Sequence, residues 1–365
     1  MLSEDEFDDE DDIADASGDE DDELLEDVDA LTPDLSISVD EMDLEQLKSA
    51  LNQARQEPDI SQQISILKAT AHLQSEQDKD NEAIATYNEL LTLYENSDET
   101  AGLLDTLVQL SDLLVKTNNV QAAIMHITRG IKLAEDEPLT HMKLLTWLGD
   151  ARQDLGESGE AISSYENARM LAQEHGEDEA AAILEYKLGY AYLDHGDTAL
   201  AVQTWEAVRA QFKARGMRRY EGRVLGGLAA ANAEMAHWSE AIRFHTSALH
   251  IAREVGDRDE EWLQLSSLAQ ALIENKQLPD ALLRYRQALH VAYSSGDKEE
   301  IVSAIVELVR LMMRSHRLLN IARLLIEDAQ ELDASDRDVR DLANTIEARI
   351  QAAEDQGLAL APVDG

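Results

Sequence analysis

Two stretches of this sequence, forty residues apart, share an alanine, an Ala-Leu-His triplet, a further alanine and a final Gly-Asp at the same offsets. Residues 238–257 read WSEAIRFHTSALHIAREVGD, and residues 278–297 read LPDALLRYRQALHVAYSSGD. A glycine recurs with the same spacing at four positions: Gly176, Gly216, Gly256 and Gly296. A period of this length is typical of a solenoid, in which one supersecondary unit is repeated along the chain. We expect each glycine to end a helix in the left-handed conformation of a C-terminal cap.

A second series of residues marks one helix of each unit. A small residue followed by an apolar one recurs every 38 or 40 residues, at Ala83-Ile84, Ala123-Ile124, Ala161-Ile162, Ala201-Val202, Ala241-Ile242 and Ala281-Leu282. Four residues after each alanine stands a bulky residue, such as Tyr165 or Trp205. Offsets of four and seven residues keep these positions on one helix face. The series therefore predicts the second helix of each unit.

The first helix of each unit is indicated by a leucine thirteen residues before that alanine, followed by a small residue. The pairs are Leu110-Ser111, Leu148-Gly149, Leu188-Gly189, Leu228-Ala229 and Leu268-Ala269. The small residue lets the two antiparallel helices approach closely, so that the bulky side chain of the second helix fills the space above it. Abundant helix formers and only five prolines also favour an all-helical chain.

Two units match a known repeat most fully, through Leu148, Gly149, Ala161 and Tyr165 in one and Leu188, Gly189, Tyr190, Ala201 and Trp205 in the next. These residues resemble the pattern of the tetratricopeptide repeat (TPR) family. The 40-residue spacing is similar to the Leu-Gly-Asn repeats of G-protein-signalling modulators, and kinesin light chain is a more distant likeness. Over about residues 59–333, the resemblance implies an all-α, right-handed superhelical solenoid of about seven TPR-like helix-turn-helix repeats.

The charge is distributed unevenly and predicts the remaining organisation. Residues 1–47 contain 22 Asp and Glu and no Lys or Arg, which is half of the net charge of −44. Such a segment is too polar and too self-repelling to fold alone. We therefore expect an acidic disordered arm (residues 1–42), a lead-in helix (43–58), the TPR solenoid (59–334), a capping helix that starts at Ser335 (335–354) and a disordered tail (355–365).

Several classes of function are disfavoured by the composition. The chain has no cysteine, which excludes disulfides and thiolate chemistry. It has no Gly-rich phosphate loop, His-Glu-x-x-His pair or Gly-x-Ser-x-Gly elbow, so we expect neither an enzyme nor a cofactor. The acidic charge argues against nucleic acid as a partner, and no apolar stretch is long enough for a membrane span. The absence of a signal-peptide pattern at the N-terminus predicts a cytoplasmic protein.

Binding on the concave face lined by the first helices is the expected function of a helical-pair solenoid. By register with the TPR family, the groove positions are Lys68, His72, Asp112, Lys143, Asp150, Tyr186, Tyr190, Arg223 and Gln270. The Leu-Gly-Asn group holds extended peptides with an asparagine ladder in these helices. The corresponding positions here include Gly227 and Ala230, so that family's ligands do not carry over.

Two basic clusters stand out from the acidic background, and the predicted docking patch within them is Arg215, Arg218, Arg219, Arg314 and Arg317. The plainer interpretation is that these are solvated charges paired in part with neighbouring acids. The alternative is that they receive an acidic segment, either a partner's or residues 4–29 of this chain. In the second case, intramolecular docking of the arm would compete with a partner for the binding surface.

Three histidines of the repeated helices, His245, His250 and His290, have two interpretations. A metal site would need ligands that converge from adjacent units, whereas a repeated semi-buried packing position needs none. We favour packing.

These observations together predict a non-enzymatic scaffold or adaptor that binds a partner peptide or helix on the concave groove, with the acidic arm modulating binding. The alternatives are a regulatory module that senses a peptide or effector, and an acidic chaperone for a basic protein.

Overall fold

The computed structural model describes residues 39, 42–56, 60–97, 99–333, 335–358 and 360. Most of the predicted arm and the last five residues of the predicted tail lie outside the described residues. The part that is described contains sixteen α-helices, a short 3-10 turn at His316–Leu318 and no strand, which confirms the all-α prediction. The helices are α1 (Leu44–Ala54), α2 (Ile60–Glu76), α3 (Asp80–Ser97), α4 (Thr100–Lys116), α5 (Val120–Leu133), α6 (Pro138–Asp154), α7 (Ser158–Glu174), α8 (Asp178–His195), α9 (Thr198–Ala214), α10 (Arg218–Glu234), α11 (Trp238–Val255), α12 (Arg258–Glu274), α13 (Leu278–Ser295), α14 (Lys298–Met312), α15 (Leu319–Leu332) and α16 (Arg337–Asp355).

The chain divides into two compact units, which we call unit 1 and unit 2. Unit 1 ends at His126 and unit 2 begins at Ile127, so that the boundary lies within α5. In unit 1, helices α1 to α4 pack on one another in chain order. In unit 2, each helix from α6 to α16 packs on the next, and the first helices also touch along the array, α8 against α10 and α10 against α12. In unit 1, α2 and α3 form a helix pair that α1 precedes, and in unit 2 five pairs follow one another, from α6 and α7 to α14 and α15, with α16 after them.

The helices end at turns that keep the repeat period even where the residue changes. The four predicted glycines have φ angles of +74°, +71°, +70° and +78°, as expected for a left-handed cap. The turn between the two helices of a pair also has a left-handed residue, at Asp78, Asn118, Gly156, Gly196, Ala236 and Lys276. At each, the next N–H donates to the C=O five residues back, for example His237 to Asn232 at 2.8 Å. The left-handed conformation is therefore determined by the position in the repeat, whether or not that residue is glycine.

The predicted close approach of the paired helices is confirmed at their small residues. A Cβ added at Gly149 would lie 2.4 Å from the Tyr165 ring, and one at Gly189 would lie 2.2 Å from Nε1 of Trp205. The indole of Trp205 is fully buried, and Gly227 of α10 bounds it on its other side. The bulky residue of each second helix is thus the centre of a core layer, surrounded by leucines and alanines.

The capping helix starts one residue later than predicted. The N-cap is Asp336, whose Oδ1 accepts a hydrogen bond from the N–H of Val339 at 2.9 Å. Ser335 instead donates its hydroxyl to Asp333 at 2.6 Å, so it is engaged outside the helix. A carboxylate satisfies the free N–H groups of a helix start at least as well as a hydroxyl. Among the described residues, no helix is both long and apolar enough to cross a membrane.

Candidate functional site

The predicted groove residues Lys68 and His72 lie together on α2 and line a cavity of 620 Å³ in unit 1. We call this cavity the unit 1 groove. Helix α1 contributes Leu47, α2 also contributes Ala69, Leu73 and Glu76, α3 contributes Tyr87 and Leu90, α4 contributes Asp105, Thr106 and Gln109, and Val39 and Met42 complete the wall. Its floor is apolar and its rim carries charges of both signs. Asp112, also predicted for the groove, is exposed on α4 and lies outside this lining.

An ion pair crosses the rim of the unit 1 groove. Nζ of Lys68 lies 3.2 Å from Oδ2 of Asp105, and both side chains are about half exposed. Burial lowers the pKa of Lys68, but the hydrogen bond to Asp105 and the nearby acids outweigh it and leave the pKa above its usual value. Burial and the charges of Asp105 and Asp112 raise the pKa of Tyr87. The groove therefore presents an ammonium group, carboxylates and a protonated phenol.

In unit 2, three predicted groove residues come together around a second cavity of 340 Å³. Asp150 is supplied by α6, and Tyr186 and Tyr190 by α8. Oδ1 of Asp150 accepts hydrogen bonds from the phenol of Tyr165 at 2.6 Å and from Nζ of Lys187 at 2.5 Å. Lys187 was missed at the sequence level, although it is a charged residue directly beside a predicted groove position.

The two tyrosines of α8 belong to an aromatic cluster. The rings of Tyr186 and Tyr190 meet edge to face with centroids 5.3 Å apart, Tyr220 lies 5.9 Å from Tyr186, and Trp205 lies 4.9 Å from Tyr190. Burial raises the pKa of Tyr186 to about 12 and that of Tyr190 well above its usual value. Both phenols therefore stay protonated, and a protonated phenol can donate as well as accept a hydrogen bond.

Arg223 extends this surface to α10 and α12. Its guanidinium lies 3.6 Å from Asp257 and 3.7 Å from Glu260. Glu260 also accepts a 2.7 Å hydrogen bond from the amide of Gln264, whose oxygen lies 2.7 Å from Nδ1 of His245. Burial raises the pKa of Glu260 and lowers that of His245. A polar network thus leads from the surface arginine to a buried histidine.

The other two predicted groove residues of unit 2 lie outside the 340 Å³ cavity. Lys143 is exposed on α6, with Nζ 4.4 Å from the centre of the Trp147 ring. Gln270 is exposed on α12 and accepts a long hydrogen bond of 3.4 Å from the phenol of Tyr285.

The arginines of the first basic cluster are paired with carboxylates that also belong to unit 2. Arg215 lies 3.4 Å from Asp178, and Arg219 lies 3.1 Å from Asp257. The guanidinium of Arg218 lies 2.6 Å from both Glu221 and Glu254. This arrangement is what the plainer interpretation of the cluster describes. Arg314 and Arg317, from the second cluster, are exposed near the 3-10 turn.

The packing interpretation of the histidines is correct for one and wrong for two. His245 is 4% exposed and takes the position that Tyr165, Trp205 and Tyr285 hold in other repeats. His250 and His290, one period apart, are both exposed, because each directly follows the buried pair Ala248-Leu249 or Ala288-Leu289 and so falls on the solvent side of its helix. Among the residues that the structure describes, no group of three or more His, Cys, Asp or Glu side chains is placed to hold a metal ion.

Comparison with known proteins identifies the fold. Residues 184–259 match the family described as the rapsyn N-terminal myristoylation and linker region. A comparison with curated proteins finds no match. A signal-transduction ATPase with a tetratricopeptide repeat sensor from Pyrococcus horikoshii is similar over 87% of this chain (14% identity, TM-score 0.58), but this chain covers only 50% of that protein.

Two further solved structures are similar over most of both chains. A tetratricopeptide repeat protein from Parabacteroides merdae matches 78% of this chain and 98% of its own (13% identity, TM-score 0.56). The quorum sensor NprR from B. thuringiensis matches 79% of this chain and 83% of its own (13% identity, TM-score 0.54). At this identity the likeness concerns the fold alone, and it confirms the predicted TPR architecture.

Proposed function

We propose that this chain is a non-enzymatic protein-interaction module that binds an extended segment of a partner protein across the first helices of unit 2. We call the proposed surface the unit 2 groove. It consists of Asp150 on α6, Tyr186, Lys187 and Tyr190 on α8, Arg223 on α10 and Glu260 on α12. The observation that carries the proposal is this row of hydrogen-bonding and aromatic side chains on four successive first helices, which opens on the 340 Å³ cavity.

The chemistry of the row suits a peptide. An extended peptide offers N–H and C=O groups along its length, and the protonated phenols of Tyr186 and Tyr190 can bond either kind. Arg223 is 36% exposed, which leaves part of the guanidinium available to a partner carboxylate or carbonyl. Tyrosine and arginine are the side chains that most often dominate binding energy in protein interfaces. The row therefore combines anchors with adaptable polar contacts.

The same contacts argue for binding and against catalysis. A general base needs a carboxylate that is free to accept a substrate proton. Asp150 already accepts from Tyr165 and Lys187, and Glu260 already accepts from Gln264. These carboxylates hold neighbouring side chains in place, so a bound segment meets a preorganised surface.

The acidic arm has a separate role in this proposal. The N-terminal 47 residues, which contain the arm, carry a charge of −22 that repels acidic proteins and accelerates the approach of a basic partner. This steering weakens as salt increases, because the screening length falls to roughly 8 Å at physiological ionic strength.

A cytoplasmic location fits the absence of cysteine.

The test is affinity capture with the full chain as bait, compared with two groove variants. Lys187→Gln and Arg223→Gln remove one cation each without placing a new charge beside the carboxylates. We expect each to reduce recovery of a specific partner about tenfold, the typical cost of truncating an interface anchor. Arg286→Gln on α13 is the matched control and should capture the partner as the wild type does. A partner recovered equally by all four baits would exclude the unit 2 groove as its binding surface.

A further inference from the structure

A buried tyrosine of the unit 1 groove lacks the hydrogen bond that its counterparts in unit 2 make. Tyr87 stands at the same repeat position as Tyr165 and Tyr285. Those two phenols donate to residues fifteen positions earlier, Asp150 at 2.6 Å and Gln270 at 3.4 Å. The side chain of Tyr87 is only 7% exposed, and none of the described residues bonds to its hydroxyl. The phenol oxygen is nevertheless not sealed from solvent.

The missing partner can be identified from the repeat. The residue fifteen positions before Tyr87 is His72 on α2. Its side chain is 72% exposed, and its Nδ1 lies 3.6 Å from Oε1 of Glu76, one turn further along the same helix. The imidazole is therefore directed toward Glu76 and water. Because Tyr87 lines the 620 Å³ cavity, its free hydroxyl is a hydrogen-bonding group that the cavity offers to a ligand.

The surroundings of this hydroxyl are acidic. The charged residues of the lining, with histidine counted as neutral, are Lys68, Glu76 and Asp105. The ammonium of Lys68 is already paired with Asp105 at 3.2 Å. Burial and the charges of Asp105 and Asp112 raise the pKa of Tyr87. A group that bonds to the phenol therefore meets a negative potential, which attracts a cation and repels a carboxylate.

The rest of the lining is largely apolar and is closed on one side. Leu47, Leu73 and Leu90 come from three different helices. A turn that precedes α1 forms one wall, and in it the N–H of Met42 donates to the C=O of Val39 at 3.4 Å. The volume of 620 Å³ lies within the roughly 300–1,000 Å³ that is usual for small-molecule sites. Such a cavity suits a compact molecule better than a chain that passes through it.

We propose that the unit 1 groove binds a small amphiphilic amine, with its apolar body on Leu73 and Leu90 and its ammonium group at Tyr87. The ammonium has three donors and no acceptor, and the phenol oxygen can accept one of them. The carboxylates of Glu76 and Asp105 balance the charge from the rim. The site lies within unit 1 and does not depend on the unit 2 groove.

Three probes that share one apolar body test the head group. They are 4-phenylbutylamine, 4-phenylbutanol and 4-phenylbutyrate, titrated into the full chain labelled with 3-fluorotyrosine and followed by fluorine NMR. The Tyr87 signal is identified by its loss in Tyr87→Phe. We expect the amine to shift this signal and to bind about tenfold more tightly than the carboxylate, with the alcohol between them. Equal affinities for the three probes, or a Tyr87 signal that the amine does not move, would overturn the proposal.

The hydroxyl itself is tested by calorimetric titration of the amine into two matched variants. Tyr87→Phe should weaken binding about tenfold, because a hydrogen bond to a charged group is lost. Tyr285→Phe removes the same atom from the equivalent position of unit 2 and should bind as the wild type does. Tyr87→Phe should also keep the wild-type Tm, because its hydroxyl has no partner in the protein. A larger fall in Tm for Tyr87→Phe than for Tyr285→Phe would show that the hydroxyl is already bonded, which contradicts the site.

Asp105→Asn tests the charge of the groove. It removes one acid and leaves Lys68 without its partner, so the amine should bind more weakly and 4-phenylbutyrate more tightly. We expect the ratio of the two affinities to fall about tenfold. A ratio equal to that of the wild type would refute the electrostatic basis of the proposal.

Discussion

Replacing Gly189 with alanine tests the packing on which the repeat depends. The added Cβ would lie 2.2 Å from Nε1 and 2.3 Å from Cε2 of Trp205. The indole cannot move away on its other side, because α10 lies so close there that a Cβ added at Gly227 would be 2.7 Å from the ring. Trp205 is fully buried, and its N–H donates to the carbonyl of Tyr186 at 3.0 Å. The substitution therefore strains the core of two adjacent helix pairs.

The expected cost follows from three contributions. Overpacking a core costs about 1–3 kcal/mol, and a buried N–H that loses its partner costs about 1–3 kcal/mol. Alanine is better than glycine within a helix by about 1 kcal/mol. We therefore expect Gly189→Ala to lower the free energy of unfolding of unit 2 by about 3 kcal/mol.

The assay is urea denaturation of the full chain, followed by circular dichroism. Gly159→Ala is the control, because its Cβ would lie 3.7 Å from the His195 ring, an ordinary contact. We expect that variant to match or slightly exceed the wild type. Adding Trp205→Tyr to Gly189→Ala should recover part of the loss, since a smaller ring relieves the contact. If Gly189→Ala were as stable as Gly159→Ala, the close approach of α8 and α9 would not be what stabilises the pair.

Two further predictions concern single residues. Ala236 has φ +57°, so Ala236→Gly should raise the free energy of unfolding by about 1 kcal/mol, measured by urea denaturation; a loss of stability would contradict this. Burial lowers the pKa of His245, so the folded state favours the neutral ring. The stability that this residue contributes is therefore fully present above about pH 6.5, the pKa of an unperturbed histidine, and is lost as the pH falls through the lowered pKa. His245→Gln should therefore reduce the loss of Tm between about pH 7 and about pH 5, and an unchanged loss would show that His245 does not titrate as described.

The fold could be predicted because the residues that pack its core recur at a fixed spacing along the sequence. Small and bulky residues recur at fixed offsets, and the packing of Gly149 against Tyr165 repeats that of Gly189 against Trp205. The turns were predicted only in part. Lys276 takes the same left-handed conformation that Gly196 takes, with the same pattern of hydrogen bonds. Packing of the two flanking helices imposes that conformation, which residue propensity alone does not reveal.

The candidate site was harder to predict, because its charges are defined by neighbours one repeat away. The sequence predicted that Arg218 and Arg219 pair in part with neighbouring acids, but it did not show which acids. In the structure, Arg218 pairs with Glu254 at the end of α11, and Arg219 pairs with Asp257, the N-cap residue of α12. Local sequence shows which charges are close along one helix, whereas a solenoid brings together residues almost one period apart. A search at that separation would have found these partners.

The same separation explains the mixed charge of the groove positions. In unit 1 Lys68 pairs with Asp105, and in unit 2 Asp150 pairs with Lys187, each across 37 residues. Arg223 is separated from Glu260 by the same interval. Each pair joins neighbouring first helices, and the exposure of Lys68 and Asp105 to water limits the contribution of that pair to stability to about 1 kcal/mol or less. A segment that bonds one member of such a pair competes with a weak contact between helices. Under the proposed function, binding of a segment in the unit 2 groove is therefore expected to change the spacing of adjacent first helices.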